Sequence, residues 1–398
     1  MKKKIKVSEA RLGMYIESLC GSWVNHPFWK KSFLLDKQQD LEELLACGTE
    51  EMWIDTGIGE DVANAPKPQD EDGESGNIEK TPPPSPVLLS EELQRARKIR
   101  ARGRVAIKEM FKQAFNKELF HLDHVLILVD EIRKSIARNQ SAFLSLMREK
   151  EEKEYLSLHS ISMCALMVIL GRKMGMDNET VLSLGLAGLL QDIGSVDIPP
   201  ELLNKQGELT PAEFEIVKVH PKRGWEILNA HNLDNIVMDV CLHHHERIDG
   251  KGYPNKLPVD MLTVFSRMAA VCDTYDSLIS DSSYRKGVSP ASAIRSMAKW
   301  QDTQFDRSVF HAFVSAVGIY PCGTLLRLRS ERLAVVEEQS PVSLSTPIVR
   351  VFFSIKRDQP IFQEWVDLSK GHDSIVSVEE AASVEKQFRI NLKTMSVL

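Results

Sequence analysis

His243-His244-His245-Glu246-Arg247-Ile248-Asp249-Gly250-Lys251-Gly252-Tyr253-Pro254 sets three imidazoles directly ahead of a loop with two glycines and a proline. Neutral imidazole is the commonest protein ligand for a transition metal, and glycine lets backbone approach a ligand closely. The stretch predicts a metal site beside a pocket. Neighbours on a helix point about 100° apart. His244 and His245 are therefore expected to serve two adjacent ions rather than one, and His243, turned away again, is the structural member of the three.

Outward from this stretch the chain reads as helix. From 155 to 316 nearly every segment carries helical spacing broken by short turns, and Thr210-Pro211-Ala212-Glu213 has the cap, proline and glutamate order of a helix start. Ser90-Glu91-Glu92 opens a charged helix upstream. After Gly318, Thr324–Leu328 and Ile348–Phe353 read as strands. At the other end, short apolar pieces around Ile5, Ile16, Phe33 and Ile54, with one helix at 40–47, describe a small β-rich module. Residues 59–90 turn acidic and proline-rich and cannot bury enough apolar surface to fold alone. The fold class is mainly α, in five parts: a β-rich N-terminal module (1–58), a linker (59–90), connecting helices (91–150), an all-helical domain (151–320) and a short β-rich C-terminal tail (321–398).

Composition narrows the function. A length of 398 residues exceeds what one core usually serves. The net charge of -6 offers no global attraction for DNA or anionic lipid, so an anionic ligand must be held locally. The six cysteines, none in a C-x-x-C pair, read as reduced buried thiols. The N-terminal lysines lead into no apolar core of the signal-peptide kind, and the runs 161–170 and 181–190 are too short to span a bilayer. A cytoplasmic protein without a membrane span is expected.

Several residues elsewhere could join the histidines. Asp192 falls in the last turn of a helix, 181–193, that is apolar on nearly every face, and a carboxylate at the negative end of a buried helix needs a cation; an Asp exposed at the turn by Gly194 is the alternative. Asp273 shares its side of helix 262–279 with Ala269, Ala270, Asp276 and Ser277, a face of small residues that lets other backbone come close; a solvated face is the alternative. His159 by itself reads more often as a core histidine than as a ligand. His220, ahead of Pro221, could instead bond a free carbonyl at a helix end. Together, histidines and carboxylates in this number suit two or more metals bridged by one carboxylate, an arrangement that activates water for attack on phosphorus.

In this order, His159-Ser160, Leu189-Leu190-Gln191-Asp192-Ile193-Gly194, Ile198-Pro199, His220-Pro221, the opening stretch and Asp273-Thr274-Tyr275-Asp276 resemble the HD-GYP family of the HD metal-phosphohydrolase superfamily, over residues 150–320. Residues 1–58 resemble the small uncharacterised domain often found ahead of it. The resemblance implies an HD-type helical fold and hydrolysis of cyclic di-GMP to the linear dinucleotide or GMP. It implies two divalent transition-metal ions, iron or manganese, on His159, Asp192, His220, His244, His245 and Asp273, with Asp192 as the catalytic bridge. The substrate side would comprise Gly252, Tyr253, Pro254, Asp276 and Arg285, and the Gly-Tyr-Pro loop would also meet GGDEF-type cyclases. A homodimer is among the assemblies expected.

Four positions depart from the family pattern. Gln191 stands where the HD pair has its histidine, and an amide oxygen is a weaker ligand for such metals than imidazole. Ser195 replaces a lysine and Ser282 an arginine, both on the phosphate side, and Tyr155 stands where trinuclear members carry glutamate. These departures keep a second class open, a silent module that binds cyclic di-GMP or a cyclase without turnover.

Overall fold

The computed structural model describes residues 2–20, 33–36, 38, 41, 44–45, 51–60, 88–120, 122–147, 154–203, 205–281, 286–340, 343–392 and 394–395. Residues 61–87, most of the expected linker, lie outside them, as do Ser282 and Arg285. The chain divides into two compact units, Met1–Thr81 and Pro82–Leu398.

The first unit is an antiparallel sheet of β1 (Lys2–Lys6), β2 (Tyr15–Cys20), β3 (Phe33–Leu34) and β4 (Glu51–Asp55), in the order β1-β4-β2-β3. Along β4, Met52 and Ile54 turn inward and join Ile5, Val7, Met14, Ile16, Leu35 and Leu44 in one core. That alternation is what a half-buried strand requires. Of the helix expected at 40–47, only residues 41, 44 and 45 are described, and they are helical.

The second unit opens with α1 (Leu89–Phe115), α2 (Leu122–Asn139) and α3 (Ser141–Leu146). The charge in the first turn of α1 is not all solvated. Glu92 is fully buried and accepts hydrogen bonds from Ser135 Oγ (2.6 Å), Arg138 Nε (2.7 Å) and Arg95 Nη1 (3.1 Å), which ties α1 to α2.

Next come α4 (Tyr155–Lys173) and α5 (Asn178–Leu190), packed together as the central pair of the unit. The run 161–170, expected to be too short for a bilayer, belongs to a 19-residue helix that is long and apolar enough to cross one. Its apolar window is 83% buried inside the unit, so burial rather than length marks it as a core helix. The start of α5 is fixed by Asp177, whose side chain accepts from Thr180 N at 2.8 Å.

The helix α5 ends at Leu190, so Asp192 lies beyond it rather than in its last turn, at the entry to a 3-10 turn, Ile193–Asp197. The expected helix 181–193 ran too far because apolar periodicity continues through Ile193, whereas the backbone turns. Short helices α6 (Pro200–Leu203), α7 (Pro211–Val217), α8 (His220–Leu228) and α9 (Asn235–His243) follow, then α10 (Val264–Ile279), α11 (Pro290–Met297) and α12 (Arg307–Val317). The capping box at Thr210 forms as its spacing requires: Glu213 N donates to Thr210 Oγ1 (3.3 Å) and Thr210 N to Glu213 Oε2 (2.7 Å).

The expected β-rich C-terminal tail is an antiparallel sheet of five strands: β5 (Leu325–Leu328), β6 (Arg332–Glu338), β7 (Ile348–Ser354), β8 (Gln359–Asp367) and β9 (Ile375–Glu379), in the order β8-β7-β6-β5-β9. It is apolar on both faces. Leu325, Leu333, Val335 and Phe353 pack with α13 (Ala381–Phe388) through Val384, while Leu326, Ala334, Val349 and Val351 fill the opposite face. Ser289 and Ser292 at the start of α11 donate to Glu380 Oε1 (2.9 and 2.7 Å), joining this sheet to the helices.

Candidate metal centre

Five segments bring the site together. His159 comes from the first turns of α4, Gln191 and Asp192 from the turn after α5, His220 from the start of α8, His244 and His245 from the end of α9, and Asp273 from the middle of α10. Gly194 makes one of these approaches possible. A Cβ there would lie 2.1 Å from His220 O and 2.3 Å from Gly224 N, so only glycine lets α8 rest on the turn that carries Asp192.

Asp192 divides its two oxygens. Oδ2 lies 3.0 Å from His159 Nε2, while Oδ1 lies 3.2 Å from His220 Nε2 and 3.5 Å from His244 Nε2. His159 Nε2 is also 3.1 Å from Asp273 Oδ1, and His245 Nδ1 lies 3.8 Å from Asp273 Oδ2. Two groups result, Asp192 with His220, His244 and His245, and Asp192 with His159 and Asp273, each with one ligand atom per residue within 4.8 Å of the others. All six residues named from the sequence as ligands meet here.

The outer ring nitrogens show what these groups require. His220 Nδ1 donates to Val217 O (2.8 Å), and His244 Nδ1 to Val240 O (3.1 Å) and Cys241 O (3.0 Å). In the neutral tautomers set by those bonds, both Nε2 atoms are bare acceptors, yet they face each other at 3.1 Å beside Asp192 Oδ1. His159 Nδ1 likewise bonds Asp276 Oδ2 at 2.6 Å, leaving its Nε2 against two carboxylates. Acceptors crowded without donors need positive charge among them, and such an imidazole and carboxylate set fits divalent transition metals.

The proton affinities point the same way. Burial pushes His159 down, but Tyr155, Asp192, Asp273 and Asp276 outweigh it and hold the ring well above its ordinary value. His244 is likewise raised, burial notwithstanding, mainly by Asp192. Burial opposes ionisation of Asp192 as well, yet His159, His220 and His244 keep it well below the carboxylate range. His245 goes the other way: burial, then His244 and His220, push it well down, so it stays neutral.

Two expectations are corrected here. His244 and His245 join the same group: His244 keeps helical backbone as the C-cap of α9, yet the two rings turn toward each other, with centroids 4.1 Å apart. Asp276, expected on the substrate side, is fully buried behind His159 and orients that ring instead. His243 stands apart as expected, its ring shared between Asp239 Oδ1 (2.8 Å) and Asn255 Nδ2 (3.1 Å). Tyr155 stacks on His159 with ring centroids 5.6 Å apart, and burial pushes its phenol up to about 12. Ser195 is buried within the turn after Asp192. Gln191 is buried too, donating from Nε2 to Asp273 Oδ1 at 3.4 Å, while its Oε1 has no hydrogen-bond partner among the described residues.

The glycine-rich loop folds back onto the histidines. Tyr253 N donates to His245 O (3.2 Å), and the Tyr253 ring stacks on His245 with centroids 4.7 Å apart. A Cβ on Gly252 would lie 2.4 Å from Glu246 Cα, so the chain passes too close for any side chain. The Tyr253–Pro254 peptide is cis. Sequence reasoning missed the residue that holds this loop. Glu246, buried, accepts the backbone N–H groups of Asn255 (2.6 Å), Lys256 (2.9 Å) and Leu257 (3.2 Å). A carboxylate immediately before a glycine-rich loop was the available signal, but its partners lie nine to eleven residues on, where no local period reaches.

Known families and proteins resemble this chain along most of its length. The family described as HD domain matches residues 127–309, and a domain of unknown function, DUF3391, matches residues 2–125. A cyclic di-GMP phosphodiesterase of Pseudomonas aeruginosa is 45% identical over 385 residues, covering 96% of this chain and 93% of that protein. The cyclic di-GMP phosphodiesterase PdeB of Borreliella burgdorferi is 24% identical over 311 residues, 71% of this chain and 82% of the relative. Among solved structures, an HDG"Y"P protein from Bdellovibrio bacteriovorus aligns with a TM-score of 0.48 at 16% identity, over 79% of this chain and 99% of its own. With 45% identity to a cyclic di-GMP phosphodiesterase over 96% of its length, the chain belongs to the HD-GYP family of HD-domain phosphohydrolases, carrying the uncharacterised DUF3391 domain at its N-terminus.

Proposed function

We propose that this protein hydrolyses cyclic di-GMP at a centre of two divalent metal ions, iron or manganese, giving the linear dinucleotide or GMP. The observation that carries the reading is Asp192, one carboxylate shared between two groups of acceptors. His159, Asp192 and Asp273 would hold one cation, and Asp192, His220, His244 and His245 the other. When bound, such ions lower the pKa of water and neutralise charge on the phosphodiester. Water adds to one phosphorus in line with the ester bond that breaks.

The remaining work belongs to the chain. Asp276 and the carbonyls of Val217, Val240 and Cys241 keep the Nε2 atoms of His159, His220 and His244 turned inward. Burial, with Asp273 and Asp192, pushes the Tyr253 phenol up, so it stays protonated and can donate to the dinucleotide. Stacked on neutral His245 and edge-on to Phe214 (6.1 Å), Tyr253 offers an aromatic wall to a guanine. Arg285 is assigned to phosphate by its guanidinium chemistry. The outer side of the Gly252-Tyr253-Pro254 loop is the proposed contact for a GGDEF-type cyclase. A cytoplasmic location follows from the substrate.

Purified protein loaded with iron or manganese is expected to convert cyclic di-GMP at a rate that Asp192→Ala abolishes, followed by chromatography of the nucleotides. Equal rates in the two proteins would refute the enzyme reading. Gln191, an amide where the family has imidazole, supports the second reading, a module that binds cyclic di-GMP without turnover. It predicts saturable binding of the nucleotide, no product, and hydrolysis gained by Gln191→His.

A further inference from the structure

Gln191 is 1% exposed, yet one atom of its amide is unaccounted for. Nε2 donates to Asp273 Oδ1 at 3.4 Å, which fixes the orientation of the amide, because turning it over would set two acceptor oxygens against each other. Oε1 then has no hydrogen-bond partner among the described residues. A buried carbonyl oxygen left so is destabilising unless something cationic or protic meets it. Its amide partner, Asp273, already belongs to the group of His159 and Asp192.

We propose that Gln191 gives its amide oxygen as a neutral ligand to the cation of the His159, Asp192 and Asp273 group, making the two metal positions chemically unequal. This rests on the two-metal reading above. One position then offers a single imidazole, two carboxylates and an amide, a set rich in oxygen. The other offers His220, His244 and His245 with one carboxylate, a set rich in nitrogen. Oxygen sets suit manganese or magnesium, and imidazole sets draw iron and zinc more strongly. The first position therefore selects a hard cation, and a mixed pair, manganese with iron or zinc, is the occupied state.

The test is cation binding to the full-length protein, freed of metal by chelation and titrated with manganese, then zinc, with free manganese read by electron paramagnetic resonance. Wild type is expected to take two manganese ions and to surrender only one to stoichiometric zinc. Gln191→Met, which keeps the side-chain volume without the oxygen, should weaken one manganese site by about tenfold or more and leave the other unchanged. Gln191→His should keep two sites but let zinc displace manganese from both. Two unchanged manganese affinities in Gln191→Met would overturn the inference while leaving the two-metal reading intact. Wild type that takes no cation at all would overturn the two-metal reading itself. If Gln191→Met fails to fold by circular dichroism, Gln191→His still decides: zinc displacing only one manganese ion from it, as from wild type, overturns the proposal.

Discussion

Asp276 never reaches the space where a substrate would lie, yet it decides which nitrogen of His159 does. With its carboxylate 2.6 Å from Nδ1, the proton is held on the outer side and the lone pair turned toward Asp192 and Asp273. Asp276→Asn keeps the shape but weakens that control. It is expected to lower metal affinity or turnover about 10–100-fold, read by metal titration and by nucleotide chromatography. Values within the wild-type range would reduce Asp276 to a packing residue. At this scale the sequence picked out residues that do meet in space, His159, Asp192, His220, His244, His245 and Asp273, and was a poor guide to role. A carboxylate three residues after Asp273 looks equally fit for substrate or for support, and only its burial chooses.

The loop from Glu246 to Leu257 is an element with no regular secondary structure of its own, held by one buried carboxylate. Glu246→Gln replaces an anion that accepts three backbone N–H groups, each such bond contributing about 1.5–3 kcal/mol. Backbone amides at 255–257 should exchange with deuterium on the order of tenfold faster, and KM for the nucleotide should rise more than kcat falls. Unchanged exchange would show that Arg247, whose guanidinium pairs with Asp249 at 2.7 Å, suffices to hold the loop.

A second element offers a pH test away from the metal. Lys205, then Thr210, holds the Glu213 carboxyl down at about 2. Because the folded value is depressed, its contribution to stability is complete above the unfolded glutamate value of ~4.3 and fades as pH falls toward the folded one. Thermal melts of wild type and Glu213→Gln should differ at pH 7 and converge as pH drops from roughly 5 to 2. A gap that widens in acid contradicts the assignment. Boundaries of elements were legible where caps carry them, as at Thr210, and illegible where apolar spacing runs on past a turn, as at Asp192.

For the molecule as a whole, the candidate metal centre draws on α4, α8, α9, α10 and the turn after α5, so a cation bound there should stabilise the fold by mass action. At a hundredfold excess over Kd this is about 2.7 kcal/mol per ion, and chelation should lower Tm by roughly 5–10 °C in a unit of this size. No shift on chelation would mean that the acceptor groups are satisfied by protons alone. Glu92→Gln tests a joint remote from the site: it removes the anion shared by Arg95, Ser135 and Arg138, and should cost about 2–3 kcal/mol in denaturant melts without changing metal content.

The sequence by itself determined the helical class, the strands at either end, the capping box at Thr210 and the six histidines and carboxylates that meet in space, because periodicity, caps and side-chain chemistry are written residue by residue. Only the tertiary structure decided how those residues divide into two groups around Asp192, that the His244 and His245 rings meet, and that Glu246 folds the Gly-Tyr-Pro loop. It also joined the C-terminal strands into one five-stranded sheet, whose inner strands β5, β6 and β7 are largely buried on both faces. Each of these depends on atoms far apart in the chain meeting at hydrogen-bond distance, and such meetings follow from packing, to which local spacing is blind.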